Sequence, residues 1–123
     1  MRYILSVSYA AKNMNANQGN ILTAEVGEGN FQAEVLKSQQ PVLVSFWAPW
    51  SRPCQILHSV LDEVANACTG RVKVVKVNAD NNPDLSLLYD IQSIPTLLYF
   101  VDGNVHARIV GTASKEAIIS KLT

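Results

Sequence analysis

Trp50-Ser51-Arg52-Pro53-Cys54 is where residue types and spacing in this chain come nearest to chemistry. Pro53 suits the first turn of a helix, where its missing N–H costs nothing. That places Cys54 in the first turn of a helix, and the partial positive charge at a helix N-terminus favours the anion of an attacking thiol. A thiolate there can attack a disulfide, but a second thiol must release the mixed disulfide that forms. Position 51, three residues earlier, holds serine. A serine hydroxyl is a far weaker acid than a thiol, and neither histidine stands beside it in sequence to activate it. Ser51 also cannot close a disulfide with Cys54.

Cys68 cannot stand in for the second thiol. It lies 14 residues further along what reads as the same helix. At about 1.5 Å of rise per residue that is ~21 Å, far beyond the ~7 Å that a disulfide allows between Cα atoms. Cys68 therefore reads as a core or boundary residue. Cys54 keeps two readings: a buried small hydrophobe with a neutral thiol, and a monothiol that accepts glutathione or a partner's cysteine. Arg52 reads either as a solvated charge or as a cation that stabilises a thiolate. His58 and His106 are scattered and have no role assigned; no Cys/His cluster has metal-ligand spacing, so neither metal nor cofactor is expected.

The elements that must position this loop follow from periodicity. "ILTAEV" reads as a short strand, and Asn30 as the cap of a helix over "FQAEVLKS". "PVLVSFW" is a near-continuous apolar run, which suits a central strand covered on both faces. The helix from Cys54 carries Ile56, Leu57, Val60, Leu61 and Val64 at helical spacing and ends at Gly70. "RVKVVKVNA" is a further strand and "NPDLSLLYD" a short helix. "PTLLYFV", Asp102-Gly103 and "NVHARIV" form a hairpin. Ser114 caps a last helix whose Ile118, Ile119 and Leu122 face inward. The order β-α-β-α-β-α-β-β-α specifies an α/β domain with a mixed sheet and helices on both faces. Residues 21–123 form that domain. Residues 1–20 form an extension: Tyr3 to Tyr9 alternate as an edge strand or tail, and a polar linker follows.

Of 123 residues, 48% are apolar, and ten acidic residues balance ten basic ones. No charge run points to nucleic acid or an anionic membrane, and no stretch approaches a membrane span. Zero net charge gives little mutual repulsion, so a monomer or weak dimer is expected. Two cysteines outside any disulfide framework fit a reducing, cytoplasmic setting.

"FWAPWSRPC", "VNADNNPDL", "SIPTLLYF" with "DG" after it, and Gly111 stand in an order that resembles the thioredoxin family, from about Ile21 to the C-terminus. The resemblance implies the thioredoxin fold. It assigns nucleophilic attack to the position of Ser51 and resolution to Cys54. It matches the family's buried proton-transfer aspartate to Ser45, the neighbouring lysine to Lys76, and the mid-helix proline to Ser59. It also implies a cis Ile94-Pro95 bond beside a groove for an extended peptide, with Ser93, Ile94, Pro95 and Thr96 matching that motif, and Trp47, Trp50, Ile94 and Gly111 lining it. The expected activity is peptide binding with one thiol, forming a mixed disulfide with glutathione or a protein thiol. The rivals are a non-enzymatic binding or chaperone-like module, and residual disulfide oxidoreductase activity through Cys54 alone.

Overall fold

The computed structural model describes residues 23–122; the alternating Tyr3–Tyr9 stretch and the linker after it lie outside the described residues. Strands β1 (Thr23–Glu25), β2 (Val42–Trp47), β3 (Lys73–Asn78), β4 (Thr96–Val101) and β5 (Asn104–Val110) form one sheet in the order β1-β3-β2-β4-β5. β1 and β2 run parallel to β3, and β4 runs antiparallel to β2 and β5. The two parallel pairings need crossovers, which the helical segments supply. The antiparallel pair β4–β5 needs only Asp102-Gly103, both at positive φ (52° and 81°), as a tight two-residue hairpin turn requires.

β2 explains its own sequence. Val42 to Phe46 are all buried, so both faces must be largely apolar. Val42, Val44 and Phe46 enter one core with Phe31, Val35, Leu85 and Phe100. Leu43 enters the other, with Leu57, Leu61 and Val64 of helix α1 (Arg52–Ala67) and Ile118 of α3 (Lys115–Ser120). Helix α2 (Pro83–Leu88) lies on the first face, where Phe31, Tyr89 and Phe100 pack ring against ring at centroid distances of 5.4–5.8 Å. Ser45 is the one polar residue within this buried run, and it points to the α1 side because it alternates with Val44 and Phe46.

Three expectations need correction. The segment after Asn30 is a π-helical turn, Gln32–Leu36, closed by the Lys37 N–H donating to the Gln32 carbonyl at 2.9 Å. The Ser38 N–H turns to the Val35 carbonyl, and Lys73 Nζ takes the Glu34 carbonyl at 2.8 Å and its carboxylate at 2.7 Å. Asn30 does not cap this turn: its side chain accepts from the Gly27 N–H at 2.8 Å, because the preceding tight turn brings that donor closer. Ile56 is exposed rather than inward, since the buried stripe of α1 runs through Cys54, Leu57, Leu61, Val64 and Ala65.

Candidate active-site loop and groove

β2 ends at Trp47, and the chain crosses "APWS" to enter α1. Ser51 is the N-cap. Its backbone is extended (φ −89°, ψ 114°), and its Oγ accepts from the Cys54 N–H at 3.4 Å. This role was open to sequence reasoning: serine two residues before a proline, at the start of an apolar period, is a helix-start signal. Ser51 is 4% exposed and Cys54 only 1%, so the loop turns both side chains inward. Cys54 and Cys68 are both free and buried. Arg52 and Pro53 are exposed on the first turn.

Trp50 turns the other way and is 70% exposed. Its indole N–H donates to Asp80 Oδ2 at 2.9 Å. Asp80 sits in a 3-10 turn, Ala79–Asn81, that is held by Asn78, whose side chain accepts from the Asp80 and Asn81 N–H groups at 3.0 and 3.3 Å. Asp80 was not among the expected site residues, although "VNADNNPDL" carried it. Trp50, Asp80, Ile91, Gln92, Ser93 and Ile94 line an open groove of about 430 Å³. At its edge the Ile94-Pro95 peptide is cis, Pro95 is buried, and the Thr96 hydroxyl donates to the Ser93 carbonyl at 2.7 Å. The Gly111 N–H donates to the Pro95 carbonyl at 2.8 Å, with Gly111 at φ 87°.

Trp47 and Gly111 stand outside the lining of this pocket. Trp47 is engaged behind the loop. Its indole N–H donates to Glu25 Oε2 at 3.2 Å, its ring meets His58 edge-on at 5.0 Å, and Lys76 Nζ lies 5.6 Å from its centroid. Gly111 instead supports the Pro95 backbone.

Behind the loop lies a polar layer. Ser45 is registered with Lys76 on β3, and Lys76 with Glu25 on β1. Ser45 Oγ and His58 Nε2 are buried there without a hydrogen-bond partner among the described residues. Burial raises the Glu25 carboxyl pKa, against the opposing pull of the Trp47 indole and the Lys76 charge. Burial lowers the His58 pKa, helped by Lys76 and opposed by Asp62.

The Thioredoxin family model matches residues 22–123. The chain belongs to the thioredoxin family. It is 46% identical over 101 residues to Thioredoxin 1 of Synechococcus elongatus, covering 82% of this chain and 94% of that protein. It is 45% identical over 97 residues to the thioredoxin of Pseudomonas aeruginosa, covering 79% and 90%. With the thioredoxin of Griffithsia pacifica identity is 42% over 99 residues, covering 80% and 91%. The thioredoxin match spans β1 to α3, so groove, loop and polar layer all lie within it. No helix among the described residues is long and apolar enough to cross a membrane.

Proposed function

We propose that this thioredoxin-family chain binds extended peptide in the Trp50–Ile94 groove and uses Cys54 as a single thiol, without dithiol–disulfide turnover. The observation that carries this is Ser51. At the position where the family places its attacking cysteine, the hydroxyl is 4% exposed and engaged as the helix cap on the Cys54 N–H. A serine hydroxyl held as a helix cap, with no base beside it in sequence, is far too weak an acid to take over a thiol's attack. The thiol that remains would join a partner's cysteine or glutathione as a mixed disulfide, reversed by an external thiol. The groove supports partner binding because it presents an exposed indole, fixed by Asp80, beside apolar Ile91 and Ile94. The setting proposed is a reducing one, such as the cytoplasm, with residues 21–123 as the working domain.

A second reading has its own support. Cys54 is 1% exposed, which favours a binding module whose thiol is inert. Intact-protein mass after treatment with oxidised glutathione decides between them. A single glutathione adduct on Cys54, lost in Cys54→Ser, supports the monothiol. No adduct on the folded protein, with peptide binding retained, makes the chain a binding module.

A further inference from the structure

Ser45 Oγ and His58 Nε2 are the two buried side-chain atoms left without a partner among the described residues, and both lie in the seam between the sheet and α1. Ser45 faces that seam from β2 and is 1% exposed. His58 faces it from α1, its ring 5.0 Å from Trp47, which is two residues along β2 from Ser45 and on the same face. Lys76 ties them together: it is Ser45's register partner and one of the charges that His58 senses.

Cys54 is the third member. It lies four residues before His58 on α1, and residues so spaced on a helix are neighbours, with about 5–6 Å between Cβ atoms. Helical side chains lean toward the N-terminus, so His58 leans over the turn that carries Cys54. Buried polar atoms are almost always satisfied, and two such atoms facing one seam are the condition under which a water is retained.

We propose that His58 is the proton-transfer partner of Cys54: a water held between Ser45 Oγ and His58 Nε2 carries the thiol proton to the imidazole. This rests on Cys54 acting as the thiol of the proposed function. Cys54 loses its proton through the water to His58 Nε2. The thiolate attacks one sulfur of a disulfide, an S–S bond forms to Cys54 and the original S–S bond breaks. The departing thiolate recovers the proton from His58, so one disulfide and one thiol give one mixed disulfide and one thiol. Lys76 and burial keep His58 neutral and ready to accept, while Asp62 on α1 favours the imidazolium once formed. Glu25, across Lys76 from Ser45, is the other carboxyl facing the layer.

The experiment follows Cys54 without needing the groove. Alkylation of Cys54 by iodoacetamide is followed by peptide mass in wild type, Ser45→Ala and His58→Gln. In His58→Gln alkylation at neutral pH should slow by about 100-fold, the low end for general base help. Ser45→Ala should fall between the two. An alkylation rate unchanged by His58→Gln overturns the proposal. So does a wild-type imidazole ¹⁵N spectrum showing the neutral tautomer with its proton on Nε2, a measurement that needs no variant to fold. Because iodoacetamide is not a disulfide, failure of glutathione capture with His58-dependent alkylation intact refutes the proposed function and leaves the relay standing.

Discussion

Ser51→Cys separates the two things Ser51 can be, a cap and a vacated nucleophile position. The cap bond from the Cys54 N–H is long, at 3.4 Å. Its loss should sit at the low end of the N-cap range, about 0.5–1 kcal/mol. For a domain of this size that lowers the reduced protein's Tm by roughly 2–8 °C. Ser51→Ala should lose the same stability, since alanine cannot accept. The two variants must then part in activity. A thiol at the N-cap meets the helix N-terminus and lies three residues from Cys54, within disulfide reach. With dithiothreitol as reductant, Ser51→Cys should reduce insulin at least about tenfold faster than wild type or Ser51→Ala, worth ~1.4 kcal/mol of barrier. It should stay below a full thioredoxin, because Ser45 stands where the family carries its buried acid. Wild-type turnover equal to that of Ser51→Cys would refute the reasoning, since Cys54 alone would then be the catalyst. Failure of Ser51→Cys to form a disulfide under mild oxidant would refute it as well, by showing that the loop does not present the two positions to each other.

Gly111→Ala forces a side chain into φ 87° and should cost about 1–2 kcal/mol, read as a lower urea midpoint with unchanged slope. Leu57→Ala opens a cavity beneath α1 where the residue is 1% exposed, and should cost about 2–5 kcal/mol in the same assay. Glu25 has a raised carboxyl pKa, so between the ordinary glutamate value and the raised one the folded state binds more protons than the unfolded. Stability should therefore fall as pH rises through that window; Glu25→Gln should flatten this part of the Tm–pH curve, and an unchanged slope would count against it. In the Ser51→Cys background, Trp50→Ala should raise KM for insulin by about tenfold or more as an exposed aromatic anchor is lost, with an unchanged KM placing the partner elsewhere.

Much of this molecule was legible because its local signals agree with one another. "VLVSFW" had to be buried on both faces, and β2 is. Pro53 and the apolar period after it marked the start of α1, and Asp102-Gly103 marked a hairpin whose two positive φ values only such residues take readily. The misreadings are places where neighbours in space overrode local preference. Asn30 is a good cap by type, but the Gly27 N–H reached its side chain first. Ile56 fits the apolar period of α1, but the sheet meets the stripe from Cys54 to Ala65 and leaves it in solvent.

The candidate site divides the same way. Residue type by itself determined that position 51 carries no thiol and that Cys54 and Cys68 cannot pair, because those are limits of acidity and helix length. Only the tertiary structure decided which side chains meet. Trp50 and Asp80 are 30 residues apart, and nothing in their order or spacing predicts their 2.9 Å bond; it exists because β3 lies beside β2 and delivers the Asn78–Asn81 turn to the end of that strand.

 The polar layer has the same origin. Glu25, Lys76 and Ser45 come from three strands and His58 from a helix, and they share one seam because sheet register and the packing of α1 put them there. Sequence periodicity reports which face of its own element a residue occupies, whereas contact between elements depends on how their faces are stacked.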